Sequence, residues 1–268
     1  MLQGGIAQTI GLVFAANARR HRISYPDWQD ASIYQFCNKV SFEGRRRASL
    51  FGFSKAIEVV DPNAWLDTLP NDMTGSRLCV LPRNDPNISD RESVGFAGGG
   101  PVFLAQVDAP KPEAWLGEWQ VTNQGAPDQR IWSVTYHNFP NAGTGIQPGS
   151  QQQVRDALSK ALEDAIEFND LHKLNFGATF VAAKNALSDN APLHGFYHGD
   201  LVPVELLSLS DLQLFSCAAK AWVFGGMGSW NDVWFDGDSQ KVYRELSDRL
   251  FSAIVEGLVL ATNASDSA

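Results

Sequence analysis

Residues 115–122 read Trp-Leu-Gly-Glu-Trp-Gln-Val-Thr and residues 132–137 read Trp-Ser-Val-Thr-Tyr-His. In the first run Trp115, Gly117, Trp119 and Val121 alternate with Leu116, Glu118, Gln120 and Thr122. In the second, Trp132, Val134 and Tyr136 alternate with Ser133, Thr135 and His137. A period of two is that of a strand with one face buried, so both runs are expected as strands. Between them Asn123-Gln124-Gly125-Ala126-Pro127-Asp128 is rich in turn formers, which joins the pair as an antiparallel hairpin. Upstream, Arg77 to Leu81 and Val102 to Val107 add two further strands. The simplest arrangement is an antiparallel β-meander of four strands, closed by a connector from Asn138 to Gly149 that holds two prolines and three glycines.

Beyond the connector the apolar period changes to three or four. Ser150-Gln151-Gln152-Gln153 has the form of a capping box, followed by Val154, Leu158, Ala161, Leu162, Ala165 and Ile166 on one helical face. Phe176, Phe180, Ala183 and Leu187 mark a second helix. A third is expected from a capping box at Ser210-Asp211-Leu212-Gln213 to about Phe224. Tyr243, Leu246, Leu250, Ile254 and Leu258 mark the last and longest helix, with Asp238 or Ser239 as its cap. Strands first and helices after predict an α+β protein, an antiparallel β-meander in the middle followed by a helical C-terminal half. Residues 1–149 form an N-terminal helix plus a β-rich region and 150–268 a helical region, the two packed as one globular unit.

At the N-terminus Ile10 to Ala16 is apolar and Ala16-Asn17-Ala18 has the small-x-small form of a signal cleavage site. No Lys or Arg precedes that stretch, and Gln8 and Thr9 interrupt it. Residues 3–19 are therefore expected as an amphipathic helix ending at Arg19-Arg20, whose charge suits the negative end of the helix dipole. Cys37, Cys79 and Cys217 are odd in number and far apart, which fits neither a disulfide framework nor a zinc knuckle and favours a reducing, cytoplasmic setting.

The chain has 268 residues and a net charge of −9. That balance argues against binding to nucleic acid or to an anionic membrane, since phosphate neutralisation needs a basic surface. The charge is graded, +4 over residues 1–60, −5 over 61–150 and −8 over 151–268. The positive end is concentrated in Arg19, Arg20 and Arg22 and in Arg45, Arg46 and Arg47, and is expected to face the chain's own acidic half. No stretch approaches the ~20 apolar residues that cross a bilayer.

Two segments carry candidate chemistry. His194, His198 and Asp200 lie within seven residues, and two imidazoles with a carboxylate are a donor set for zinc or iron or a hydrolytic site; two glycines and Pro192 oppose the helix that would bring the two rings to one side. His198-Gly199-Asp200-Leu201 is also similar to the catalytic loop of aminoglycoside-phosphotransferase-like kinases. Glu205 stands where that pattern has a magnesium-binding Asn, and no glycine-rich phosphate loop precedes it, so kinase chemistry is not expected. Gly98-Gly99-Gly100 is followed by a strand, where a phosphate cradle needs a helix, and is expected as a turn.

The second segment is Phe224-Gly225-Gly226-Met227-Gly228-Ser229-Trp230-Asn231-Asp232-Val233-Trp234. Trp222, Met227, Trp230, Asn231, Asp232 and Trp234 are the candidate binding residues, because aromatic faces with a few polar groups make ligand pockets and interface anchors. The loop from Gly225 to Asp238 is expected to be ordered. Here, over about residues 205–263, the chain resembles uncharacterised bacterial proteins with an FGGMGSWND loop between two C-terminal helices, some of them immunity-protein-like. That resemblance implies a protein partner and fixes no catalytic residue. With no coherent catalytic set and no cofactor implied, the expected function is a non-enzymatic interaction protein, binding through an acidic helical face or the Trp-rich loop. The alternative is a small-molecule-binding protein or metal-dependent hydrolase using His194, His198 and Asp200.

Overall fold

The computed structural model describes residues 2, 4–47, 54–96, 98–139 and 143–266. Its central element is helix α1 (Gly4–Arg20), in which every residue from Ile6 to Ala18 is buried. A helix covered on all sides has to be apolar all round, which accounts for the run that imitates a secretion signal. Its polar exceptions are each bonded. Gln8 donates to the Ile33 carbonyl (2.9 Å) and accepts from Tyr136 (3.1 Å), and Thr9 donates to the Gly5 carbonyl (2.9 Å).

On one side α1 packs against a six-stranded sheet of order β2-β1-β6-β5-β4-β3, made of β1 (Cys37–Arg47), β2 (Ser54–Val59), β3 (Gly75–Leu81), β4 (Val102–Asp108), β5 (Glu113–Val121) and β6 (Trp132–Phe139). The α+β class stands, but the sheet is mixed and not an antiparallel meander. β3 to β6 are antiparallel neighbours, with β5 and β6 forming the expected hairpin (Trp119↔Val134, Gly117↔Tyr136). β1 then pairs with β6 in parallel (Val40↔Val134, Phe42↔Tyr136) and with β2 in antiparallel fashion. β1 and β2 escape a sequence reading because Cys-Asn-Lys-Val-Ser-Phe-Glu-Gly-Arg-Arg-Arg shows only Val40 and Phe42 in alternation before a basic run. Those two side chains are fully buried, and Phe42 stacks on both Trp65 and Tyr136 at 5.0 Å.

On the other side α1 meets the helices, Phe14 touching Phe215 edge-on at 5.5 Å. These are α4 (Gln151–His172), α5 (Gly177–Ala186), α6 (Leu209–Lys220) and α7 (Asp238–Asn263), preceded in the chain by α2 (Pro62–Thr68) and α3 (Asp90–Ser93). Ser150 caps α4 through the expected box. α6 is capped by Ser208 with Asp211, two residues before the expected Ser210, and ends at Lys220 instead of Phe224. Gly237 occupies the N-cap of α7 with no side-chain cap, so neither Asp238 nor Ser239 caps it. One hydrophobic core runs through sheet, α1 and helices. Arg19 and Arg20 pair with Asp67 (2.8 Å) and Asp266 (3.4 Å) of the same chain; the side chains of Arg46 and Arg47 lie outside the described residues.

The outer edge of β3 is closed by side-chain amides. Asn17 of α1 donates to the Ser76 carbonyl and accepts from the Ser76 N–H, both at 2.8 Å. Asn263 of α7 does the same for Leu78, at 3.1 and 2.6 Å, and Ile146 N–H bonds the Val80 carbonyl at 2.8 Å. Each amide copies the donor–acceptor pair of a neighbouring strand, so Ser76 and Leu78 are served as if a seventh strand were present, and Val80 is served at its carbonyl.

Candidate functional site

Antiparallel pairing of β4 with β5 stops after three rungs, Val107↔Glu113, Gln106↔Ala114 and Ala105↔Trp115. Both strands continue, β4 held by β3 as far as Leu81↔Val102 and β5 held by β6 as far as Val121↔Trp132. The sheet therefore forks. Continued register would set Phe103 against Gly117 and Pro101 against Trp119. Pro101 has no N–H to give the second of these rungs. The inward side chains are also drawn to different partners, Phe103 to Trp222 (6.4 Å) and Trp119 to Trp132 (5.8 Å) and to the side of α1 left open by Gly4 and Gly5, where a Cβ would meet its ring at 3.4–3.5 Å. A Cβ at Gly117 would lie 3.1 Å from the Tyr136 ring, a tight contact that the buried ring would have to yield to.

A cavity of ≈ 1020 Å³ fills the fork. Its floor is Gly5, Ile6 and Thr9 of α1, and its walls are Val102 and Phe103 of β4 and Leu116 to Trp119 of β5. Phe96 (68% exposed) and Phe139 (43%) stand at the mouth. Its charged groups are already engaged: Arg83 donates to the Gly98 carbonyl at 2.6 Å, and His137 lies 3.3 Å from Glu118. The volume is at the top of the range of small-molecule pockets, and the lining is mostly apolar and aromatic.

The glycine triplet belongs to this rim. Gly98 and Gly100 have φ of +72° and +85°, which glycine adopts without strain. Gly100 N–H bonds the Ser93 hydroxyl at 2.8 Å. The triplet is a pinned turn leading into β4, as its sequence implies.

The Trp-rich loop reaches the same rim from the other side. Gly226 lines the cavity, and a Cβ on Gly95 would be 3.0 Å from the Gly225 carbonyl. Asn231 is fastened to α3, donating to the Arg91 carbonyl at 3.0 Å and accepting from its guanidinium at 3.3 Å. Buried Arg91 also holds Asp248 of α7 at 2.6 Å. Asp232 accepts from the Gly228 N–H and closes the loop on itself. Trp230 is fully buried among Phe176, Phe180 and Tyr243 and donates to Ser247 at 2.7 Å; Trp222, also buried, donates to the Phe224 carbonyl at 2.7 Å. Of the six loop candidates Met227, fully exposed, Trp234, at 69%, and Asp232 are exposed, while Trp222 and Trp230 are buried and Asn231 is half-buried.

The histidine segment is arranged differently. His194 and Asp200 are exposed and His198 is buried. His198 Nδ1 lies 2.7 Å from the Ser32 hydroxyl, which is 2.6 Å from Asp200 Oδ1, while Ser32 N–H bonds Asp200 Oδ2 at 2.8 Å. Ser32 was not legible in the sequence, since 166 residues separate it from His198. A carboxylate only accepts, so Ser32 gives its proton to Asp200 and His198 Nδ1 carries the proton that bridges to Ser32. The imidazole thus faces the hydroxyl as a donor and not as a base, the reverse of a nucleophile–base pair. Burial holds the His198 pKa below its ordinary value, opposed by Asp200. Tyr25 adds a bond to the Leu201 carbonyl at 2.8 Å, and Gln35 donates to Tyr197. This cluster clasps residues 25–35 to residues 197–201. Among the described residues no three His, Cys, Asp or Glu side chains gather as a metal site.

No protein-family model matches the chain, and neither does any curated protein or solved structure compared with it.

Proposed function

We propose that the chain is a non-enzymatic interaction protein that holds part of a protein partner in the cleft between β4 and β5. One observation carries this reading: a large, aromatic-mouthed cavity lies in the fork of the sheet between β4 and β5, and the glycine turn and the Trp-rich loop converge on its rim. The Trp-rich loop enters through its glycine-led first half and exposed Met227, in place of its tryptophans. An immunity-like role, with a toxin as partner, is compatible with this reading and rests on the resemblance of residues 205–263. A reducing, cytoplasmic setting is supported by three cysteines that are all buried and unpaired. Among the described residues no helix is long and apolar enough to cross a membrane.

The hydrolase alternative loses support from the direction of the Ser32–His198 bond and from the separation of His194 from the pair. Affinity capture from the native host tests the proposal, comparing the wild-type chain with a Phe96→Ala/Phe139→Ala variant. A protein retained by the first and lost by the second, at equal melting temperature, is the expected result. Equal retention by both would reject the cleft.

A further inference from the structure

We infer that the fork between β4 and β5 is a strand-addition site, whose occupant is an extended, apolar-rich segment of a protein partner. The inference rests on the cleft being the binding site and adds how the partner is held.

Hydrogen-bond direction alternates along a strand. Val102, Leu104 and Gln106 oppose Leu81, Cys79 and Arg77, while Ser76, Leu78 and Val80 of β3 turn outward to Asn17, Asn263 and Ile146. The backbone groups of Phe103, Ala105 and Val107 therefore face β5. By the same count those of Glu113, Trp115, Gly117 and Trp119 face β4, in keeping with Thr122 N–H bonding the Ile131 carbonyl across the β5–β6 side. Only Ala105, Val107, Glu113 and Trp115 find each other. Outside the ladders, among the described residues, the backbones of Phe103, Gly117 and Trp119 have no partner.

The fold treats the outer edge of β3 and the edges inside the fork differently. On β3, where a neighbour would be unwelcome, each outward residue is closed by an amide or a loop. In the fork nothing is supplied, and Gly117 and Trp119 lie half-buried along the cleft, where an added strand could reach their backbone groups. An inserted strand would bond Phe103 on one wall or Gly117 and Trp119 on the other. Its alternate side chains would project toward the mouth, between Phe96, Phe139 and Leu116. Main-chain bonds of this kind give affinity and the side-chain pockets give selectivity. The lining that these side chains would meet is mostly apolar and aromatic, which selects an apolar-rich segment.

The test uses the whole chain and a displayed library of random linear peptides. Binders are expected to be rich in β-branched and aromatic residues, and to be lost on Val102→Trp, which fills the mouth. Since Val102 belongs to β4, the Phe96→Ala/Phe139→Ala variant, which shortens two side chains at the mouth and leaves the backbone pairing of Phe139 with Ala114 in place, serves as a second arm and should weaken the same peptides. N-methylation of the best binder, one amide at a time, should weaken binding about tenfold or more at every second position and little between, since only alternate amides face a strand edge. Cleft-dependent binding without that alternation would overturn strand addition while leaving the cleft as the binding site. Peptides that bind regardless of both cleft variants, or a selection with no binders, would overturn both.

Discussion

At the residue scale, the two loop tryptophans separate cleanly. Trp230 is enclosed by aromatic rings and bonded to Ser247, so Trp230→Ala should destabilise by about 3–5 kcal/mol in urea unfolding. Trp234→Ala, at an exposed position, should leave the unfolding midpoint within error. His198 yields a pH dependence. Its folded pKa lies below the ordinary value of about 6.5 because burial disfavours the imidazolium. The unfolded chain therefore binds the proton more readily, and the contribution of this residue to stability is complete above that value and is lost as pH falls through and below it. The urea midpoint should accordingly fall between pH 7.5 and 5.5 by more in the wild-type chain than in His198→Gln. The same burial pushes the Cys37 thiol up to about 11 and the Cys217 thiol to about 12. Neither should react with a thiol reagent at pH 8 until the chain unfolds.

At the scale of elements, the closed edge of β3 is the feature most open to test. Asn17→Leu removes two bonds to Ser76 and one to Ser265 (2.8 Å) at a buried site. About 2–4 kcal/mol of stability should be lost, since Ser76 would be left with an unpaired donor and acceptor. Asn263→Ala is partly solvated and should cost less. It should also raise self-association, read by light scattering, because it reopens a partly solvated stretch of strand edge at Leu78. The helix termini depend on local sequence instead. Ser150→Ala and Ser208→Ala should each cost about 1 kcal/mol, the usual effect of losing such a cap.

At the scale of the molecule, α1 lies between the sheet and the helices, and α7 reaches back to β3 through Asn263. A fragment of residues 150–268 alone would expose Phe215 and its neighbours, which α1 covers in the full chain. Near-ultraviolet circular dichroism of that fragment should lack the sharp aromatic bands of the whole chain while far-ultraviolet helicity persists. Sharp bands would show that the helical half folds alone.

What the sequence determined by itself is local. The alternation at 115–121 and 132–136, the box at Ser150 and the helical spacing from Val154 onward depend on neighbours within a few residues, and each appears where its pattern predicts. The third helix shows how narrow that information is: Ser208 and Ser210 each begin a capping pattern with an acid or amide three residues on, and packing chose Ser208. Tertiary structure decided the rest. β1 becomes a strand because β6 and β2 supply its hydrogen bonds and because Trp65 and Tyr136 cover Phe42, all distant in sequence. The Ser32–His198 bond and the meeting of Gly95 with Gly225 likewise join segments more than a hundred residues apart. The fork at Pro101 is partly legible, as a residue that cannot donate, but the cavity exists because Phe103 and Trp119 are pulled to opposite sides by Trp222 and α1, and no local pattern records where those partners lie.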